Sequence, residues 1–551
     1  MKKLKKLFAF VLLVAMLCGC ASGSGAEQNI TFDSYYKATA QTKKTRSVQD
    51  SVAVALPLGD LNLNPLFATD THSKNVNLLL FDSLVEYNQK GNLTPSLATC
   101  SVSEDKLTYT FSLKDAYFSS GKKLTADDVI FCIKVMCHPT YRGPYDFINS
   151  SITGVMEFNH GESTEIAGLK KISDQTLQIN LEKSDSSFLE LMTFGVISKS
   201  SYANLLSFDS TSALASSLSK PDGCGQYYFD TTLEDGTLLL KANNRYHKGA
   251  PNVKTIKIIK SDNVAQAVID GQADITYLPA DQDTINIVAQ SGNIDMYKLL
   301  DNRFVGFGFN CTGIFADENA RQAIAFILNA HDVLKQIEIP FSEAIESVQS
   351  LDSPYYSKID AEKYELNLER AEELLKSVGY AKDGSGKLYK NGEPFVINIA
   401  AQNENSFIET ALNNFKNESK KLGIELNIEY LTQSEILQKI SQKSADCFFT
   451  TFELPASQSL FKQTFKTNGR YNSLGFSSSK LDNLFDDLKS TTDKTSHAKV
   501  LNQILVSLNR ELPVIPVYQC QQLYLASVNL KGFTSNFYSN VFENMYKLNF
   551  K

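Results

Sequence analysis

Four lysines within residues 1–6 run straight into eleven apolar residues at 7–17. A charged start followed by a short apolar core is the layout of a secretory signal, and the run is too short to stay as a transmembrane helix. This feature constrains the fold more than any other. The remaining chain has to fold after export, and no second apolar run is long enough to hold it in a membrane. At 43% hydrophobic and 21% charged residues it has ordinary core material, which excludes wholesale disorder.

The apolar run ends in Leu17-Cys18-Gly19-Cys20. That ending resembles a lipobox, in which a Leu and small residues precede a Cys that is acylated before cleavage. Ordinary secretion, with Cys20 merely near a cleavage point, is the alternative. Two acyl chains suffice for stable attachment to a membrane. Residues 20–47, rich in Ser, Gly, Thr, Gln and Lys, read as a flexible tether. Removing residues 1–19 takes away four lysines and moves the formal net charge from −7 to −11. Such a surface argues against nucleic acid as partner.

Nine cysteines less Cys18 and Cys20 leave an odd, scattered seven, which is no disulfide framework. Cys132 and Cys137, five apart on an expected helix, lie on different faces. The thiols read as small apolar core residues. Neither they nor the six dispersed histidines have zinc spacing. His247 reads as a surface turn residue.

Strand patterns occur at 51–56, 107–113, 176–181, 238–241, 253–259, 274–277 and 424–430. Helical patterns occupy 75–84 (passing into a short strand), 125–136, 263–270, 319–328, 368–378, 407–422 and 498–508. Thr125 and Asp128 form a capping box at the second of these, so Asp127 and Asp128 serve the helix dipole and not acid–base chemistry. Asn391-Gly392 marks a hairpin, and Asp383-Gly384-Ser385-Gly386-Lys387 a turn. The alternation of strands and helices predicts an α/β fold. No nucleophile elbow, zincin helix or phosphate-binding loop is present, so no enzyme is predicted.

Ten short motifs, in order, then bring a family into view. They include Leu63-Asn64-Pro65-Leu66, Leu80-Phe81-Asp82-Ser83-Leu84-Val85 and Pro95-Ser96-Leu97-Ala98. Phe118-Ser119-Ser120-Gly121 runs on to Thr125-Ala126-Asp127-Asp128-Val129, and Asn244-Arg245-Tyr246-His247-Lys248-Gly249-Ala250-Pro251 follows. Later come Asp270-Gly271-Gln272-Ala273-Asp274, Phe307-Gly308-Phe309-Asn310, Ala320-Arg321-Gln322-Ala323-Ile324 and Pro513-Val514-Ile515-Pro516. The set resembles the solute-binding proteins of ABC importers, family 5, which carry oligopeptides, dipeptides or nickel.

The resemblance implies a two-lobed periplasmic-binding-protein-like fold (type II, cluster C) with an extra subdomain on lobe one. Mapped onto this chain, a signal peptide spans 1–19 and a tether 20–47. Lobe one spans 48–303 with the subdomain at about 88–194. Lobe two spans 304–509, and 510–551 return to lobe one. The implied function is capture of a peptide or peptide-like solute in the interlobe cleft and delivery to an ABC permease with transmembrane and ATPase subunits. The protein would be a monomer without cofactor or metal, held by a lipid on Cys20 at the outer face of the cytoplasmic membrane. A non-peptide solute (a nickel chelate or an oligosaccharide) and a non-transport surface lipoprotein are the alternatives.

Two departures stand out. The family's Gly-x-Gly-Pro-Tyr is here Gly223-Cys224-Gly225-Gln226-Tyr227, without the proline. Peptide binders carry a Trp six residues after the position of Asp446, and an ammonium-binding Asp three later. Those positions hold Phe452 and Pro455. Proline forms no ion pair, and Glu453 stands near as a substitute anion. The residues expected to meet ligand are Tyr227, Asn310, Phe452, Glu453, Arg470, Tyr471 and Asn472.

Overall fold

The computed structural model describes residues 33–36, 38 and 50–550, except 208, 217, 338, 340–341, 354–355, 357, 456, 492, 533–534 and 536–539. The expected signal peptide, Cys20 and most of the tether lie outside the described residues. One stretch assigned to the tether is described: Asp33–Tyr36 is a strand, antiparallel to Ile294–Phe309. A polar edge strand carries no apolar alternation by which sequence could reveal it.

A mixed twelve-stranded sheet forms the backbone of the molecule. From one edge it runs Glu425–Leu431, Val396–Gln402, Cys447–Glu453, Ile294–Phe309 and Val514–Ser527. It continues through Ile275–Pro279, Ser51–Pro57, Thr255–Ser261, Leu238–Ala242 and Tyr227–Thr232. Ser51–Pro57 is buried on both faces and pairs in parallel with Thr255–Ser261, which accounts for its unbroken apolar run.

The two largest apolar cores divide this sheet. The first takes residues from Val52 to Tyr277 and again from Tyr524 to Leu548; the second runs from Phe304 to Tyr518. We call the two bodies lobe one and lobe two. The chain passes between them on Ile294–Phe309, of 16 residues, and Val514–Ser527, of 14. These strands pair along nearly their whole length, but the register slips between Leu300 and Phe304. Asp301, Asn302 and Arg303 stand against Cys520 alone, a bulge that bends the ladder where the cores change over.

Within lobe one a separate four-stranded sheet joins Ala98–Val102, Thr108–Leu113, Thr176–Asn180 and Leu169–Ser173. The helix Ala126–Met136 starts beside it with the expected capping box, and Asp128 also receives the Lys199 amide at 2.8 Å. The Asn-Gly hairpin forms with both turn residues at positive φ, 54° at Asn391 and 84° at Gly392. All seven cysteines in the described residues are free thiols.

Candidate functional site

The helix Thr71–Leu80 begins four residues earlier than its apolar pattern suggests. Asp70 caps it, accepting the Ser73 amide at 2.8 Å. Its partly polar face, with Lys74, Asn75 and Leu78, forms one wall of a cavity of about 380 Å³. The next segment adds Asp82 and Glu86, the crossing strands add Leu299–Asn302, Gln522 and Tyr524, and lobe two adds Glu453. The cavity thus sits where the lobes and both crossings meet.

Asp82 anchors its floor. The carboxylate accepts Tyr246 Oη at 2.8 Å, His247 Nε2 at 2.7 Å and Ser96 Oγ at 2.8 Å, with Lys248 Nζ at 3.2 Å. Lys248 also pairs with Glu86. Burial alone would raise the Asp82 carboxyl, but the Lys248 ammonium and the His247 bond hold it well below the usual carboxylate range. Burial works against the Lys248 charge too, and Asp82 and Glu86 together raise its pKa. His247 is therefore no surface residue: its side chain is 2% exposed. Two motifs 164 residues apart, Leu80-Phe81-Asp82 and Tyr246-His247-Lys248, exist to meet each other.

The altered glycine motif has an equally local reason. A Cβ on Gly225 would lie 2.5 Å from the Leu79 carbonyl oxygen, and one on Gly223 2.0 Å from that of Leu80. Only glycine lets this segment lie against the end of the helix, where the Gly225 amide donates to Leu80 at 2.9 Å. Gln226, standing in for proline, donates to the carbonyls of Leu78 at 3.0 Å and Phe542 at 2.6 Å and accepts the Tyr546 amide at 2.8 Å. It ties the C-terminal segment to the cavity wall.

Of the seven residues expected to meet ligand, Glu453 alone lines this cavity. Successive residues of a strand point to opposite faces, so Phe452 and Glu453 cannot both do so. Phe452 stacks on Phe304, ring centroids 5.6 Å apart, and lies over Gly308. Glu453 pairs in register with Arg303 on the other face. Asp301 claims that guanidinium, Nε to Oδ2 at 2.7 Å; the exposed Glu453 carboxylate acts on Arg303 only from a distance and forms no ion pair among the described residues. Lys74, across the cavity on lobe one, is likewise unpaired there.

The other five lie outside this cavity and bond within the protein. Tyr227 is fully buried in the lobe-one core and donates to the Val253 carbonyl at 3.2 Å. Asn310 reaches the carbonyls of Lys443 and Ala445 at 3.4 and 3.3 Å. Asn472 pins its own loop, donating to Lys466 and Phe476 and accepting the Phe476 amide at 3.0 Å. Arg470 and Tyr471 meet the opposite lobe: Arg470 Nη2 donates to Gly143 O at 2.9 Å and Tyr471 Oη to Pro144 O at 3.2 Å. Lys489 pairs with Asp185 at 2.9 Å, and the Ser186 amide donates to Lys489 O at 3.0 Å. These contacts hold the two lobes together.

Residues 92–469 match the bacterial extracellular solute-binding proteins, family 5 (middle region). The chain belongs to this family. Its members bind solutes outside the cytoplasm for ABC transporters and are not enzymes. The family 5 chain is 23% identical to the oligopeptide-binding protein AppA of Bacillus subtilis over 544 residues, 96% of this chain and 95% of that one. The structure of that protein with a nonapeptide superposes with a TM-score of 0.74 at 22% identity, covering 91% of this chain and 99% of the other. NikZ of Campylobacter jejuni, solved with Ni(L-His), gives a TM-score of 0.72 at 19% identity, covering 91% and 100%. The fold is therefore that of the cluster C binding proteins. Among the described residues no group of three or more His, Cys, Asp or Glu could hold a metal ion, and no helix is long and apolar enough to cross a membrane.

Proposed function

We propose that this family 5 protein is a lipid-anchored carrier of a short peptide or peptide-like solute, which it captures between its lobes and delivers to an ABC import permease. One observation carries the reading: the cavity offers a carboxylate, Glu453, from lobe two and an ammonium, Lys74, from lobe one, neither of them in an ion pair among the described residues. A free peptide is a zwitterion and complements both charges. At about 380 Å³ the space lies toward the small end of ligand pockets, about 300–1,000 Å³, which favours a ligand of a few residues. Relatives described as oligopeptide- and dipeptide-binding support the same class.

The test is a pair of short peptides differing only by N-acetylation, titrated against wild type and Glu453→Gln. A charge-assisted bond to the ammonium predicts that acetylation weakens wild-type binding roughly ten- to hundredfold, and the variant far less. Equal affinities in wild type refute Glu453 as anchor, and no binding to any peptide refutes the class. For the anchor, Cys20→Ala should release the protein from membranes or leave the precursor uncleaved. Unchanged fractionation and migration would contradict it.

A further inference from the structure

A second cavity, of about 270 Å³, opens beside the first, and Tyr87 lines both. Lobe one contributes Leu93 and Glu190; lobe two contributes Gln349, Pro455, Phe461 and Leu501. Pro455 occupies the position where peptide-binding relatives are expected to carry an acid. Two residues that carry acceptors line this space. Gln349 is 9% exposed, and its Oε1 has no hydrogen-bond partner among the described residues. An orphaned buried acceptor is costly unless something donates to it. Glu190 reaches across from lobe one, and one carboxylate oxygen accepts the Gln458 amide at 2.8 Å and the Ser459 amide at 3.5 Å. Burial pushes its pKa up to about 8 against the pull of those two amides, with Asp185 adding to the rise. Among the described residues no lysine, arginine or histidine forms an ion pair with it. Several serines and Asn92 share the walls with Leu93, Val348, Pro455, Phe461 and Leu501, whose apolar surfaces suit an aliphatic stem that ends in a charged head.

We propose that this cavity is a specificity subsite for a basic side chain of the ligand, whose ammonium or guanidinium donates to Glu190 and to Gln349 Oε1. The subsite rests on the peptide reading and adds a second point of charge recognition, apart from Glu453. It predicts a preference for peptides carrying lysine or arginine at one fixed position.

The experiment uses alanine tripeptides with lysine or norleucine at each position in turn, titrated against wild type, Glu190→Gln and Gln349→Met. At one position wild type should prefer lysine roughly ten- to hundredfold, as a charge-assisted bond requires. Glu190→Gln keeps an acceptor for the Gln458 amide and should bring the ratio close to one; Gln349→Met should reduce it. No lysine preference at any position, or a preference that survives Glu190→Gln, overturns the subsite. So does an N-acetylation penalty that vanishes in Glu190→Gln while persisting in Glu453→Gln, because the cavity then holds the α-ammonium. Failure of all tripeptides to bind refutes the peptide reading instead. In that event butylammonium, the side-chain fragment alone, decides the subsite: it should raise the melting temperature of wild type more than that of Glu190→Gln, and an equal effect overturns the proposal.

Discussion

Asp82→Asn is the substitution whose cost the structure specifies best. It keeps the shape of the side chain and removes its charge. Ser96 donates to Oδ1 and Tyr246 to Oδ2, so the single amide oxygen of asparagine can serve only one of them, and His247 and Lys248 lose the anion they were placed against. The Lys248 side chain is 16% exposed and that of His247 2%, so water cannot replace the carboxylate fully. Removing one partner of a buried ion pair costs about 3–5 kcal/mol. Urea unfolding of purified protein at pH 7 should show that loss. The pH dependence supplies a second check. The folded pKa of Asp82 is depressed, so its stabilisation is fully present above the unfolded value near 3.9 and disappears as pH falls through the folded value. The gap between wild type and variant should therefore be constant from pH 7 to pH 5 and narrow below about pH 4. A loss under about 1 kcal/mol at pH 7, or a gap that widens with acid, refutes the assignment of Asp82 as the charged centre of this network.

Other residues give sharper contrasts between folding and binding. Gly225→Ala drives a methyl group into the Leu79 carbonyl and should destabilise lobe one by about 1–3 kcal/mol in the same urea assay. Tyr227→Phe should cost about 0.5–1.5 kcal/mol of stability through the lost Val253 bond while leaving ligand affinity unchanged in titration. Arg470→Ala removes a bond across the lobes from an exposed side chain; ligand affinity should fall roughly two- to tenfold with urea stability unaltered, and small-angle scattering should show a more open average shape.

Patterning exposed the fold where burial imposes a period. The strand Thr108–Leu113 alternates because one face is buried, and the capping box at Thr125 and Asp128 reads directly from spacing. Patterning missed what polar residues do. The crossing strand was visible only from Phe304 onward, since Asp301-Asn302-Arg303 interrupt the apolar run where the register slips. The helix at Asp70 began in Thr-His-Ser, outside any apolar stripe, although Asp70 itself was an available capping signal. At the cavity, motif order pointed to Glu453 but could not show which way the neighbouring side chains face. Arg470 and Tyr471 turn to the opposite lobe, and Phe452 turns away from the cavity because Glu453 faces it. The Asp82–His247–Lys248 cluster could not be found by spacing, for its members are brought together only by the sheet. Glu190 lies in the short helical turn Phe188–Thr193, whose sequence gives no hint of the partner amides at Gln458 and Ser459.

The central claim, that the cleft carries a short peptide with free charged ends, is tested most directly by what the protein already holds. The mature protein purified from its own host, denatured and extracted, should release short peptides at near-stoichiometric amount by mass spectrometry, with unblocked amino termini and an excess of lysine or arginine at one position. Recovery of a stoichiometric non-peptide solute, a metal chelate or a sugar, would contradict the account.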